Sequence, residues 1–238
     1  MILLWVVLFI LVVAISFVLA ARSMKDFTEI PTSSEEYSLF LIRKTDSLTA
    51  ELLNSIHKNL LRTSLIISFE RLFKGKDSAL VVFGSSKLLM AYKDSLDLLE
   101  LEDYTNVDVE QIFAWEVGIK KNGQWTKDNG QSNLSQLSEI DQFWWQVVLS
   151  NDFKAQITAV VISADAQKRN TLTNNLQSLS PDRLIKLPKA FSNEQLFNFY
   201  KSRSFRKDNN NPILSSEEII QLFLPQILQP HPQVHPVR

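Results

Sequence analysis

The chain has 238 residues, with 25 Lys and Arg against 26 Asp and Glu and no cysteine. So even a charge balance argues against a protein that coats nucleic acid, whose footprint is an excess of basic side chains. The lack of cysteine excludes disulfide scaffolds, thiol nucleophiles and Cys-ligated zinc, and it leaves the redox compartment open.

No charged side chain occurs before Arg22. Ile2 to Ala21 is twenty residues of almost unbroken apolar character, and at about 1.5 Å of rise per residue a helix of that length matches a hydrocarbon core of about 30 Å. Residues 1–25 are therefore expected to be a transmembrane anchor. The rival reading is a cleaved secretory signal with Val18 and Ala20 as the small-residue pair. It lacks a basic segment ahead of the apolar run, and the run is longer than a signal core. Arg22 and Lys25 follow the span, which places the following region in the cytoplasm by the positive-inside tendency, although Asp26 and Glu29 weaken that bias. The cell membrane is the expected location.

Residues 26–36 are polar, contain Pro31 and read as a linker. Tyr37 to Arg43 alternates as a strand. Asp46 or Ser47 is placed to cap a helix carrying Leu48, Leu52, Ile56 and Leu60. Leu65 to Glu70 and Ala79 to Phe83 read as strands joined by a hairpin around Gly75. Ser85 and Ser86 precede a second helix with Leu88, Leu89, Tyr92, Leu96 and Leu99 on one face, and Leu99 to Tyr104 reads as a fourth strand. The order β-α-β-β-α-β over 37–106 predicts a ferredoxin-like module, an arrangement that by itself says nothing of activity.

A second α/β module is expected over 107–205. Phe113 to Lys120 reads as a strand, 121–133 as a loop and Leu134 to Ile140 as a helical turn. Phe143 to Ser150 and Ala155 to Ser163 read as paired strands, Asp165 to Leu179 as helix-compatible, and Asn193 to Ser202 as a helix. Residues 206–238 form a connector and a Pro-rich tail, with Ser215 and Glu218 at the spacing of a capping box. The fold class expected is α+β: an N-terminal transmembrane helix, the ferredoxin-like βαββαβ module, and a second α/β module.

Chemistry-bearing patterns are sparse. The five glycines are scattered, so the closely spaced backbone N–H groups of a Walker loop are missing. His57, His231 and His235 have no metal-site spacing. No catalytic, cofactor-binding or metal-ligating residue is expected, and the alternating acidic residues at 100–103 read as a solvated strand face. Lys201, Arg203, Arg206 and Lys207 form a basic run interleaved with Tyr200 and Phe205. The run is suited either to phosphate or anionic lipid, or simply to a helix C-terminus, where cations are favoured. Trp144 and Trp145 must point to opposite faces of a strand, one into the core and the other free to meet a partner.

Several short motifs in order resemble the membrane-anchored region that precedes the motor in type IV secretion-like, conjugative DNA-transfer ATPases of candidate-phylum bacteria and archaea. They are ISFE at 67–70, LELEDY at 99–104, FWWQVVLS at 143–150, YKSRSF at 200–205 and PILSSEEIIQLFLP at 212–225. The resemblance spans about residues 36 to 225 and stops where the ATPase would begin. It implies a non-catalytic docking module whose partner is a separately encoded secretion ATPase or another copy of itself. Nucleic acid is the lesser expectation, and no small-molecule substrate is evident. The alternative is a signal-anchored extracytoplasmic binding or envelope protein.

Overall fold

The computed structural model of the protein describes residues 12–13, 15–16, 36–62, 65–75, 77–119, 140–178, 184–188, 190–206 and 211–223. Of the expected anchor, only Val12, Val13, Ile15 and Ser16 fall among them; all four are helical and exposed. Among the described residues no helix is long and apolar enough to cross a membrane. The rest of 2–21, the linker before Glu36, the 121–133 loop and the Pro-rich tail lie outside the described residues.

Eight strands form one sheet in which every pairing is antiparallel: β1 (Tyr37–Ile42), β2 (Ile67–Lys74), β3 (Asp77–Ser85), β4 (Leu98–Leu101), β5 (Ile112–Ile119), β6 (Gln142–Leu149), β7 (Ala155–Ile162) and β8 (Leu184–Lys186). Their order across the sheet is β4-β1-β3-β2-β6-β7-β5-β8. Numbered within each half, the first four run 4-1-3-2 and the second four run 2-3-1-4, so the order is palindromic about the β2–β6 seam. That seam is a full ladder from Ile67↔Leu149 to Lys74↔Gln142. The boundary expected near 106 falls between β4 and β5, and the sheet continues across it.

The helices packed on the sheet, among the described residues, are α1 (Ala50–Leu60), α2 (Ser86–Met90), α3 (Lys93–Leu96), α4 (Ala166–Ser178), α5 (Asn193–Ser202) and α6 (Ser216–Phe223). The order β-α-β-β-α-β over the first half is thus present, with its second helix broken in two. The break falls where Tyr92 is buried and its hydroxyl is held by Ser55 (3.1 Å) and Asn59 (2.7 Å) of α1. Helix α3 then ends at Asp97, which takes a left-handed conformation (φ 49°) that Asp tolerates better than most residues.

Helix α1 starts later than the leucine spacing suggests. Its cap is Thr49, whose hydroxyl accepts from the Leu52 N–H at 3.3 Å. Leu48 precedes the helix and is buried in the same core as Leu53, the N′ and N4 pairing of a hydrophobic staple. The buried stripe is accordingly Leu53, Ile56 and Leu60, not the series through Leu52. Strands β2 and β3 are longer than expected, because the polar residues on either side of the turn pair up to Lys74↔Asp77 around Gly75 (φ 56°). The fourth strand stops at Leu101 rather than Tyr104. The three-residue β8 carried no legible strand signal. Helix α5 falls where a helix was expected, and α6 begins at the expected capping box. The Ser215–Glu218 box closes reciprocally, with Glu218 N–H donating to Ser215 Oγ (3.2 Å) and Ser215 N–H to Glu218 Oε2 (2.9 Å).

Alternation in the strands assigns the two faces. On one face Phe40, Ile42, Phe69, Leu80, Val82, Val147, Ile157 and Val161 join the apolar residues of α1, α2, α3, α4 and α6 in the larger core. On the other face Ile112, Ala114, Trp144, Val160 and Ile162 meet Leu196, Phe197 and Tyr200 of α5. Helix α5 therefore lies alone, among the described helices, on the side opposite the rest.

Candidate functional site

The second face is not wholly apolar. Near the middle of the β2–β6 seam, Glu70 of β2 and Gln146 of β6 sit directly opposite one another, and neither is appreciably exposed. Each is a polar side chain buried mid-strand, and each needs partners, because an unpaired buried polar group costs roughly 1–3 kcal/mol and a charge more.

Those partners come from two segments distant in sequence. Beyond β4 the chain leaves the sheet, with Asp103 accepting from the Thr105 N–H (2.9 Å) and hydroxyl (2.8 Å), and this turn brings Tyr104 over the seam. From the other side α5 delivers Tyr200 and Arg203. The Arg203 Nε donates to Glu70 Oε1 at 3.0 Å, and its two terminal nitrogens reach Asp103 at 3.2 and 3.4 Å. Glu70 also accepts from the Ser68 hydroxyl (3.0 Å), Gln146 Nε2 (3.0 Å) and the Tyr104 hydroxyl. Gln146 donates again to the Tyr200 carbonyl at 2.9 Å, and the Tyr104 and Tyr200 hydroxyls are 2.8 Å apart. Trp144 closes the cluster, stacked on Tyr200 and edge-on to Tyr104.

Arg203 reaches this position through an unusual helix end. It occupies the left-handed residue after α5 (φ 50°, ψ 34°), with its N–H bonded to the Tyr200 carbonyl and the Ser204 N–H to the Phe199 carbonyl. That is the Schellman pattern, in which glycine is the usual residue because a side chain costs about 1 kcal/mol or more there. Arginine stands in its place, its guanidinium lying 4.9 Å from the centre of the Phe83 ring.

Electrostatics follow from this packing. Burial would depress the Arg203 guanidinium, but the Glu70 charge and the Asp103 hydrogen bonds outweigh it and hold the group above the ordinary arginine value. Burial raises the Asp103 carboxyl, yet the bonds from Arg203 and Thr105 prevail and hold it below the usual carboxylate range. Burial first, then the Glu70 charge, pushes the Tyr104 and Tyr200 hydroxyls well above the ordinary tyrosine value. Glu70 and Tyr200 have no exposed surface, so solvent and solutes do not reach them. The arrangement ties α5, the post-β4 turn and both halves of the sheet together at one point.

The expected contact residues divide accordingly. Arg203 and Trp144 are buried inside this cluster. Arg206 pairs with Glu116 of β5 and lies over the rings of Phe191 (4.3 Å) and Phe199 (4.9 Å). Trp145 points to the opposite face as alternation requires, half-buried beside Phe143. Lys201 alone of the described basic run is exposed, and Lys207 lies outside the described residues. The run is therefore not a continuous basic patch: its two arginines are folded inward. Glu70, Gln146, Tyr104 and Tyr200 were not anticipated as a cluster. The available signal was a Glu within ISFERLF and a Gln within FWWQVVL, each in the middle of a segment rich in large apolar residues. Among the described residues no three His, Asp or Glu side chains converge as a cation site.

No protein-family model matches the chain, and no curated protein matches it.

Proposed function

We propose that the chain is a non-catalytic, membrane-tethered docking protein of a type IV secretion-like or DNA-transfer apparatus, with its folded region on the cytoplasmic side and each half of its sheet a ferredoxin-like module. The reading rests on the uncharged apolar segment 2–21 followed by a folded α+β region, and on motif order. One observation carries it furthest. Glu70, Tyr104, Gln146, Tyr200 and Arg203 come from four of the five motifs that resemble the pre-motor region, and they meet in the same buried cluster. Motifs that converge on a structural tie point suit a scaffold that presents surfaces to partners. The partner on this reading is a separately encoded ATPase or a second copy of the chain.

Purification of the tagged full-length protein from native membranes in mild detergent is expected to bring a Walker-bearing ATPase or another secretion component with it. Recovery without either speaks against the assignment. Proteolysis on intact cells separates the extracytoplasmic alternative: digestion of the folded region from outside would overturn the cytoplasmic placement.

A further inference from the structure

One end of the sheet carries unpaired charges of both signs, sorted to its two sides. Strand register puts Tyr37 opposite Ser85, Leu39 opposite Leu101 and Ile67 opposite Leu149. The end of β4, the start of β1, the end of β3, the start of β2 and the β6–β7 turn therefore follow one another across this end. At about 4.8 Å between strands the row is roughly 20 Å wide. On the β4–β1 side stand exposed Glu102 and Glu36, with Lys87 just past Ser86, whose N–H donates to the Glu36 carbonyl. The β6–β7 side receives the C-terminal turn of α1, because His57 Nε2 lies 3.2 Å from the Asn151 carbonyl and its ring packs on Phe153. That turn carries exposed Lys58 and is followed by exposed Arg62. Exposed Glu217 adjoins Ser216, whose hydroxyl bonds Asn54 one helical turn before Lys58.

None of these six charges has an ion-pair partner among the described residues, and Asp152 and Lys154 of the β6–β7 turn pair with each other. The six sum to zero, but the two sides are opposite. One has two carboxylates and a cation, the other two cations and a carboxylate. Beside the two cations, two apolar side chains are uncovered. Leu61, next to Arg62, is 57% exposed, and Ile213, which bridges Lys154, is 69% exposed.

A two-fold axis along the sheet normal, at the middle of this end, sets a second copy end to end with the first and brings each side against its opposite. We propose that two copies of the chain dock through this end, Lys58 and Arg62 of each meeting Glu36 and Glu102 of the other, with Leu61 and Ile213 covered between them. Glu217 then faces Lys87 across the axis. A two-fold interface has to be self-complementary, and charges divided in this way meet that condition, whereas an end of one sign would repel its own copy. Exposed ion pairs contribute little each, so the charges fix the orientation while the apolar side chains supply the attraction. The proposal deepens the second-copy branch of the reading above and depends on neither the anchor nor secretion.

Sedimentation of the full-length protein in mild detergent at about 100 µM is expected to show a dimer, weakened in about 0.5 M salt. Lys58→Glu/Arg62→Glu and Glu36→Lys/Glu102→Lys should each weaken it about thirtyfold or more, since every reversal acts twice across a two-fold axis. Mixing the two variants should restore association to within about threefold of the wild type, because opposite signs then face each other again on both sides. A folding defect would lower the mixture as well, so this rescue separates docking from misfolding. The absence of native cysteine gives the orientation. Copies carrying Arg62→Cys, mixed with copies carrying Glu36→Cys, should form mixed disulfides about fivefold or more above either like pair. Wild type that stays monomeric, or a mixture no better than its parts, overturns the proposal. A monomer whose copurifying partner is lost in both charge variants gives the face to that partner and overturns it too. Copurification and proteolysis of the wild type are read independently, so this face can fail while the broader reading stands.

Discussion

Replacing Arg203 with methionine keeps most of the buried volume and removes the one cation that, among the described residues, is bonded to Glu70, whose side chain has no solvent exposure. Breaking a buried pair from one side typically costs about 3–5 kcal/mol, because the remaining charge is stranded. For a domain whose whole stability lies near 5–15 kcal/mol that is a large fraction. The double variant Arg203→Met/Glu70→Gln should recover at least about 2 kcal/mol relative to Arg203→Met. The glutamine oxygen can still accept from Ser68, Gln146 and Tyr104 while no charge is left behind. Arg203→Gly separates a second contribution: it loses the same pair but relaxes the left-handed backbone, and it should be about 1 kcal/mol more stable than Arg203→Met. Urea unfolding of the full-length protein in mild detergent, followed by tryptophan fluorescence, reads all three, since Trp144 stacks on Tyr200 within the cluster. A loss below about 1 kcal/mol for Arg203→Met, the range of exposed pairs such as Arg43–Asp97, would refute the reasoning, as would strict additivity in the double variant.

Spectrophotometric titration at alkaline pH should show Tyr104 and Tyr200 staying protonated well past pH 10 until the protein unfolds. Their folded values are raised, so their stabilisation is complete below about pH 10 and is lost as pH climbs toward the folded values; ionisation of all four tyrosines near pH 10 in native protein would contradict it. Asp103 works in the opposite sense. Its folded value is lowered, so its contribution is present above about pH 4 and fades on acidification, and Asp103→Asn should flatten the acid limb of a stability–pH curve. Ser192→Ala opens the reciprocal cap with Gln195 and should lower stability by about 1 kcal/mol in the same urea assay. A methyl group at Gly84 meets only ordinary contacts, 3.4 Å from Leu89, so Gly84→Ala should be neutral or slightly stabilising. At Gly118 it would lie 2.6 Å from the Leu187 Cδ2, so Gly118→Ala should lower the urea midpoint.

Local periodicity made most of this fold legible. Strands β6 and β7 and helix α5 were visible because continuous apolar runs and helical spacing survive without tertiary context. The late start of α1 was hidden because Leu48 fits the helical spacing yet serves the core from outside the helix. Strand β8 was hidden because three residues cannot establish a period. The seam cluster was hidden for a different reason. Arg203 lies in a polar, turn-rich stretch that reads as exposed, and only the long-range meeting with Glu70, 133 positions earlier, buries it. Tertiary pairing of this kind leaves no local pattern, although a lone carboxylate in the middle of ISFERLF is a warning that something must neutralise it.

The palindromic strand order also governs how the protein avoids itself. Each half, taken alone, would expose its eight-residue second strand as a sheet edge, with a row of unpaired N–H and C=O groups open to any passing strand. Joining β2 to β6 satisfies both rows at once and moves the free edges outward to β4 and β8, which are four and three residues long. Exposed Glu100 stands on the first of these. Short edges, one bearing a carboxylate, are poor templates for runaway sheet extension. Where copies of the chain collide, that geometry leaves little backbone for one sheet to offer another, so neighbouring copies do not grow into each other strand by strand.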